Sequence, residues 1–157
     1  DEEYAADDTQ AGSRIAVNAF IKMYKAAKKD GYDLVINSSY RSYEEQEDTC
    51  DTYRQLYGEN YVLNYVAMPG FSEHQTGLSF DIGSRNSNVF AESEEYEWIQ
   101  ENAHKYGFIQ RFPSKYEAIT GFRAEPWHYR YVGKKIATYI YEHDISFEEY
   151  YVLFLDS

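Results

Sequence analysis

Leu78-Ser79-Phe80-Asp81-Ile82 alternates apolar and polar residues and stops at Gly83. A period of two marks a strand whose successive side chains face opposite ways. The two neighbours of Asp81, Phe80 and Ile82, are apolar, so a carboxylate is set inside an apolar strand. Burying an unpaired carboxylate is expensive, so Asp81 needs a cation or hydrogen-bond donors. Just upstream, Phe71-Ser72-Glu73-His74-Gln75-Thr76-Gly77 places a histidine seven residues ahead of Asp81. Gly77 permits a tight turn that brings a loop histidine back to the strand. Far downstream, Glu125-Pro126-Trp127-His128 supplies a second histidine with a glutamate just ahead of it.

His74, Asp81 and His128 form the inventory of a catalytic zinc site: three N/O ligands and an open fourth position for water. Glu125 is the candidate general base for that water. Spacing alone leaves purely structural readings open, because a strand histidine is more often a core or surface residue and an isolated aspartate more often a cap. Glu125 and His128 are also at odd spacing, which a regular strand would put on opposite faces. Pro126 is the residue able to break that regularity.

The 157 residues suit one domain with one core. Eighteen Tyr, nine Phe and two Trp make the chain unusually aromatic. Tyr buries a ring while keeping a polar tip, which suits core, half-buried surface and the walls of wet clefts. The net charge of −12 leaves no basic stripe for phosphates, so nucleic acid is not an expected partner, and an anionic membrane surface is disfavoured. No run approaches the ~20 apolar residues of a membrane span. The single cysteine, Cys50, excludes an intrachain disulfide and a cysteine zinc site. Its acidic neighbours disfavour a thiolate, so a passive thiol is expected. A chain beginning at Asp1, with neither an initiator Met nor a signal peptide, suggests an excised mature segment or ectodomain, and any export signal or anchor would lie upstream.

Residues 1–12 are acidic and read as a tail or docking arm, ahead of a single domain at 13–157. Ile15, Ala19, Phe20, Met23 and Ala27 predict a helix from Arg14 to Lys29, with Ser13 as N-cap and Gly31 closing it. Leu34-Val35-Ile36 reads as a short strand. Ser42 and Glu45 form a capping box for a helix reaching about Tyr57. Residues 58–77 read as irregular. Glu92 to Tyr106 is a third helix closed by Gly107, Phe108 to Phe112 a strand, 113–121 a loop and Trp127 to Val132 a strand. Two more helices run from Gly133 to about His143 and from Phe147 to Phe154. His104 and His143 read as surface residues. Helices with few strands predict an α+β fold with a small, mostly antiparallel sheet flanked by helices.

Three blocks carry a family resemblance. Ser72 to Asp81 resembles the Ser-x-His-x-x-Gly-x-Ala-x-Asp signature of bacterial VanY-type D-alanyl-D-alanine carboxypeptidases. Glu125-Pro126-Trp127-His128 resembles their Glu-x-Trp-His block, and Ser38-Ser39-Tyr40-Arg41-Ser42, followed by Gln46, their Ser-x-x-Arg block. The blocks occur in family order, and the resemblance runs from about residue 14 to 145. It implies a zinc peptidase fold shared with lysostaphin-like and hedgehog-like domains. It implies Zn2+ held by His74, Asp81 and His128, with Glu125 as base. Arg41 is the implied substrate-contacting arginine, on the terminal carboxylate or on the developing oxyanion, and Gln46, Ser72 and Trp127 are implied pocket residues. Ser79 departs from the family's Ala, a small-for-small change expected to affect packing beside Asp81. A structural ion pair with Glu44 or Glu45 is the competing expectation for Arg41.

The activity implied is removal of the C-terminal D-alanine from peptidoglycan stem peptides, outside the bacterial cytoplasm, by a monomer. The preferred specificity is D,D. L,D-carboxypeptidase action on tetrapeptide stems and D-Ala-D-Ala dipeptidase action are the alternatives. A non-catalytic wall-binding module would lack a ligand or the base, and all four are present.

Overall fold

Alternation in the strand segments and 3.6-residue periodicity in the helical ones each leave one apolar face, and the fold closes those faces on one another. The computed structural model describes residues 3–156. Four strands form one antiparallel sheet: β1 (Leu34–Ser38), β2 (Ser79–Ser84), β3 (Phe108–Phe112) and β4 (Glu125–Tyr131), in the order β1-β2-β4-β3. Seven α-helices surround it among the described residues: α1 (Arg14–Asp30), α2 (Tyr43–Tyr57), α3 (Glu59–Tyr65), α4 (Glu94–Asn102), α5 (Glu117–Thr120), α6 (Lys134–His143) and α7 (Phe147–Phe154). The predicted α+β class with a small antiparallel sheet is what the chain adopts.

One face of the sheet makes the core. Phe80 and Ile82 of β2, Leu34 and Ile36 of β1, Phe108 of β3 and Tyr129 of β4 pack against Phe20, Met23, Tyr24 and Ala27 of α1 and Trp98 and Ile99 of α4. Period two in β2 therefore turns Ser79 and Asp81 to the opposite face, where the cleft lies. A smaller cluster of Ile109, Ala137 and Ile140, with Phe147 and Tyr150 against it, seats α6 and α7 beside β3.

Most helix ends follow local signals. Gly31 closes α1 in the left-handed conformation, and Ser42 and Glu45 make the reciprocal capping box of α2. Ser13 stands at the start of α1, but its side chain makes no capping hydrogen bond. Its backbone N–H instead donates to Gly77 O at 2.8 Å, tying α1 to the loop ahead of β2. The third predicted helix is shorter than its pattern: α4 ends at Asn102 and passes into a 3-10 turn, Ala103–Tyr106, before Gly107.

The irregular reading of 58–77 is corrected. Residues 59–65 form α3 and 73–76 a 3-10 turn. At seven residues, set among Gly58, Asn60 and Asn64, α3 is too short for its periodicity to stand out, and the helix is held by contacts with α2: Tyr61 lies over Tyr53 and Tyr57, with ring centroids 5.7 and 4.7 Å apart, and Val62 is fully buried. Within the predicted loop 113–121, a single helical turn, α5, also forms.

Residues 1 and 2 lie outside the described residues. Residues 4–6 run along β1, where Ala6 N–H donates to Ile36 O at 2.8 Å and Ile36 N–H to Tyr4 O at 3.0 Å. Among the described residues, no helix is long and apolar enough to cross a membrane.

Candidate metal centre and active-site cleft

The Glu73–Thr76 turn exists because Ser72 Oγ accepts from His74 N–H at 3.3 Å and Gly77 closes it at φ 66°. That left-handed value suits glycine. A Cβ on Gly77 would stand 2.9 Å from Ser13 N, so the backbone crossing also needs the missing side chain. The turn delivers His74, 4% exposed, above β2. Its Nδ1 lies 2.6 Å from the carbonyl oxygen of Ser39, which assigns the N–H to Nδ1 and leaves the Nε2 lone pair free. Nε2 faces Asp81 Oδ1 at 3.3 Å.

His128 reaches the same place by register. Asp81 pairs directly with His128 across β2 and β4. Between β4 and β3 the pairing slips: Tyr129 lies opposite Gln110 and Glu125 opposite Phe112, so four residues of β4 span two of β3. This bulge resolves the odd spacing and brings Glu125 and His128 to one face. Glu125 Oε2 is 3.3 Å from His128 Nδ1, and that nitrogen is 3.6 Å from Asp81 Oδ1.

One ligand atom from each of His74, Asp81 and His128 lies within 4.8 Å of the others. Asp81 Oδ1 is buried and accepts no hydrogen bond of good geometry, although both rings are near it. An orphaned, buried carboxylate oxygen facing two imidazole nitrogens is the donor set of a divalent cation, and two nitrogens with one oxygen suit zinc. The residues fit the group.

The charges are mutually supporting. Burial acts to raise the Asp81 carboxyl, but His74, then His128 and Arg41, outweigh it and hold it below the usual range. Burial likewise disfavours charge on His128, yet Glu125, Glu73 and Asp81 overcome it and push the ring up to about 9. Glu73 is opposed by burial and held at about 2 by His128, Arg111 and Arg130.

The cleft around these groups encloses about 460 Å³, within the size of small-ligand sites. Every site residue singled out from the sequence lines it: Arg41, Gln46, Ser72, His74, Asp81, Glu125, Trp127 and His128. Arg41 makes no ion pair with Glu44 or Glu45. Glu45 is engaged in the α2 cap, and Arg41 Nη1 donates to Gln46 Oε1 at 3.0 Å. Gln46, 1% exposed, donates in turn to Ala67 O at 2.7 Å, so it sets the position of Arg41. Ser72 serves as cap of the His74 turn while bordering the cleft, and Trp127 is 41% exposed at its rim. Cys50 is buried and lends its thiol to Ala67 O, with burial pushing its pKa up, as suits a passive group.

Three contributors escaped the sequence reading. Ser39 fixes the His74 ring through its backbone. Glu73 faces His128, and Arg111 holds Glu73. Arg111 carried a usable signal, a lone charge within the strand Phe108–Phe112, the pattern that singled out Asp81. Tyr53, Tyr61 and Tyr65 add an aromatic wall.

A family model, "VanY: D-alanyl-D-alanine carboxypeptidase", matches residues 10–134. A D-alanyl-D-alanine carboxypeptidase of Enterococcus faecalis (strain ATCC 700802 / V583) is 38% identical over 137 residues, 82% of this chain and 51% of that one. The solved LdcB LD-carboxypeptidase, a structure concerned with peptidoglycan recognition, superposes with a TM-score of 0.82 at 45% identity, covering 90% of this chain and 68% of that one. A vancomycin-resistance D,D-pentapeptidase VanY variant in complex with Zn(II) superposes at 0.83 and 34% identity, covering 92% and 85%. The chain spans about half the length of the curated relatives it matches. With the family model covering most of its length and the same chain order of blocks, this chain belongs to the VanY family of D-alanyl-D-alanine carboxypeptidases.

Proposed function

We propose that residues 13–157 are a zinc carboxypeptidase domain that removes the C-terminal D-alanine from peptidoglycan stem peptides. The observation that carries this reading is the meeting of His74 Nε2, Asp81 Oδ1 and His128 Nδ1 beside Glu125 at the floor of the cleft. When bound, zinc supplies Lewis acidity to the scissile carbonyl and acidifies a water. Glu125, 7% exposed and aimed at that centre, accepts the proton of the attacking water and returns it to the leaving amine. Arg41, braced by Gln46, donates its planar fork to the substrate's terminal carboxylate or to the developing oxyanion. A carboxylate clamp accounts for removal of one terminal residue, since an internal peptide bond has no carboxylate there. Trp127 and Ser72 border the substrate. Such a substrate places the domain in the bacterial cell envelope, outside the cytoplasm, and the enzyme acts as a monomer.

D,D cleavage of pentapeptide stems is the first reading, supported by the family model and the curated relatives' names. L,D cleavage of tetrapeptide stems is the second, favoured by the 45% identity to the LdcB LD-carboxypeptidase. Incubation with tetra- and pentapeptide stems and weighing of the products separates them. Loss of D-Ala from the pentapeptide supports D,D action, and loss from the tetrapeptide alone overturns it. Release of D-Ala from neither stem, with cleavage of the free D-Ala-D-Ala dipeptide, identifies a dipeptidase instead.

A further inference from the structure

Glu73 directly precedes His74, yet its carboxylate serves the other histidine. Oε2 lies 3.4 Å from His128 Nε2, a long contact, and accepts from Ser79 Oγ at 3.2 Å. Oε1 accepts from Arg111 Nε at 2.8 Å, and Arg130 Nη1 is 3.7 Å away. Neutral imidazole has one N–H and one lone pair, and the partner of the first decides where the second points. The two candidate ligand rings are tied differently: His74 Nδ1 meets a backbone carbonyl, whereas His128 Nε2 meets the carboxylate of Glu73 at 3.4 Å and its Nδ1 faces that of the candidate base Glu125 at 3.3 Å. A carboxylate partner both orients a ligating ring and raises its basicity.

We propose that Glu73 is the positioning residue of the metal centre: it holds the Nε2 proton of His128 and so presents the Nδ1 lone pair towards Asp81 and His74. Arg111 holds Glu73 in that task. Its guanidinium lies over the rings of Phe112 and Phe147, at 4.8 and 5.3 Å, and its Nη2 donates to Glu148 Oε1 at 2.5 Å. The chain of contacts Glu148–Arg111–Glu73–His128 therefore runs from α7 to the centre. It gives the C-terminal helix a function at a site it does not line. This inference rests on the zinc reading above.

The test begins with the wild-type chain carrying 15N-labelled histidines, titrated with Zn2+ alone and followed by long-range 1H–15N imidazole spectra. Two rings should respond to the metal with opposite tautomers, one protonated at Nδ1 (His74) and one at Nε2 (His128). Two responding rings both protonated at Nδ1 would overturn the proposal. Zinc affinity is then measured by chelator competition for Glu73→Met, which matches the length but offers only a weak thioether acceptor, and Glu73→Gln, which retains a carbonyl acceptor. Glu73→Met should weaken zinc binding roughly 10- to 100-fold, with Glu73→Gln less affected. If Glu73 only balances Arg111, both variants lose stability while the folded protein keeps wild-type zinc affinity, and the proposal falls. Should Glu73→Met not fold, the wild-type tautomers and Glu73→Gln decide. A wild-type chain that binds no zinc would remove the zinc reading itself, a result distinct from unchanged affinity in the variants.

Discussion

Gly77 and Gly121 offer a matched pair for weighing the turn that carries His74. Both adopt the left-handed conformation at the end of a short helical turn, with φ 66° and 76°. An alanine at either position meets the intrinsic penalty of that conformation, about 1–2 kcal/mol. At Gly121 that is all, because nothing lies within 4 Å of the added Cβ. At Gly77 the Cβ would stand 2.9 Å from Ser13 N, which itself donates to Gly77 O at 2.8 Å and leads into α1. That neighbour is backbone and cannot rotate away, so an overpacking penalty of about 1–3 kcal/mol is added. The entropy lost from the unfolded chain is the same for both variants and cancels. Gly77→Ala should therefore be less stable than Gly121→Ala by about 1–3 kcal/mol, a further fall in Tm of roughly 2–12 °C for a chain of this size. Urea melts with an unchanged slope would read the difference directly. Because the turn positions His74, zinc affinity should fall in Gly77→Ala and stay near wild type in Gly121→Ala. Equal destabilisation of the two variants would refute the close-approach argument.

Three further outcomes follow from the site and the core. Glu125→Gln should lower kcat roughly 10²- to 10⁴-fold while bound zinc, measured by metal analysis, stays constant; unimpaired turnover would remove Glu125 as base. Arg41→Ala should reduce kcat/KM roughly 10- to 100-fold, as loss of a charge-assisted hydrogen bond does. If Arg41 clamps the terminal carboxylate, that deficit disappears on a C-terminally amidated stem peptide, and a deficit of equal size there assigns the arginine to the oxyanion. Glu95 tests the core: burial acts to raise its carboxyl, but donors from Asn86, Ser84 and the Asp33 backbone hold it low. Its folded pKa is below the unfolded value near ~4.3, so its stabilisation is complete above that pH and is lost as pH falls through the folded value. Between pH 5 and 3, wild type should lose more unfolding free energy than Glu95→Gln, and parallel curves would contradict the assignment.

Local chemistry was legible in the sequence because it is written in neighbouring residues. The Ser42–Glu45 capping box, the left-handed Gly31 and Gly107 and the alternation through Asp81 each act within a few positions, and each signal is used where it stands, although the helix ahead of Gly107 gives way to a 3-10 turn after Asn102. The three motif blocks announced eight of the residues that line the cleft, from Arg41 to His128. Contacts between distant segments were not legible. α3 is only seven residues long, among Gly58, Asn60 and Asn64, and is held by Tyr61 packing on tyrosines of α2. Pro126 marked the place where β4 is irregular, but only pairing with β3 showed how far the register slips and that Glu125 and His128 end on one face. The partners that orient the two histidines, Ser39 for His74 and Glu73 for His128, are 35 and 55 residues away along the chain. The sequence thus determined which groups are available and where helices and strands begin. The tertiary structure decided which nitrogen of each ring faces Asp81, because a hydrogen bond across the fold, and no local propensity, sets the tautomer and direction of an imidazole.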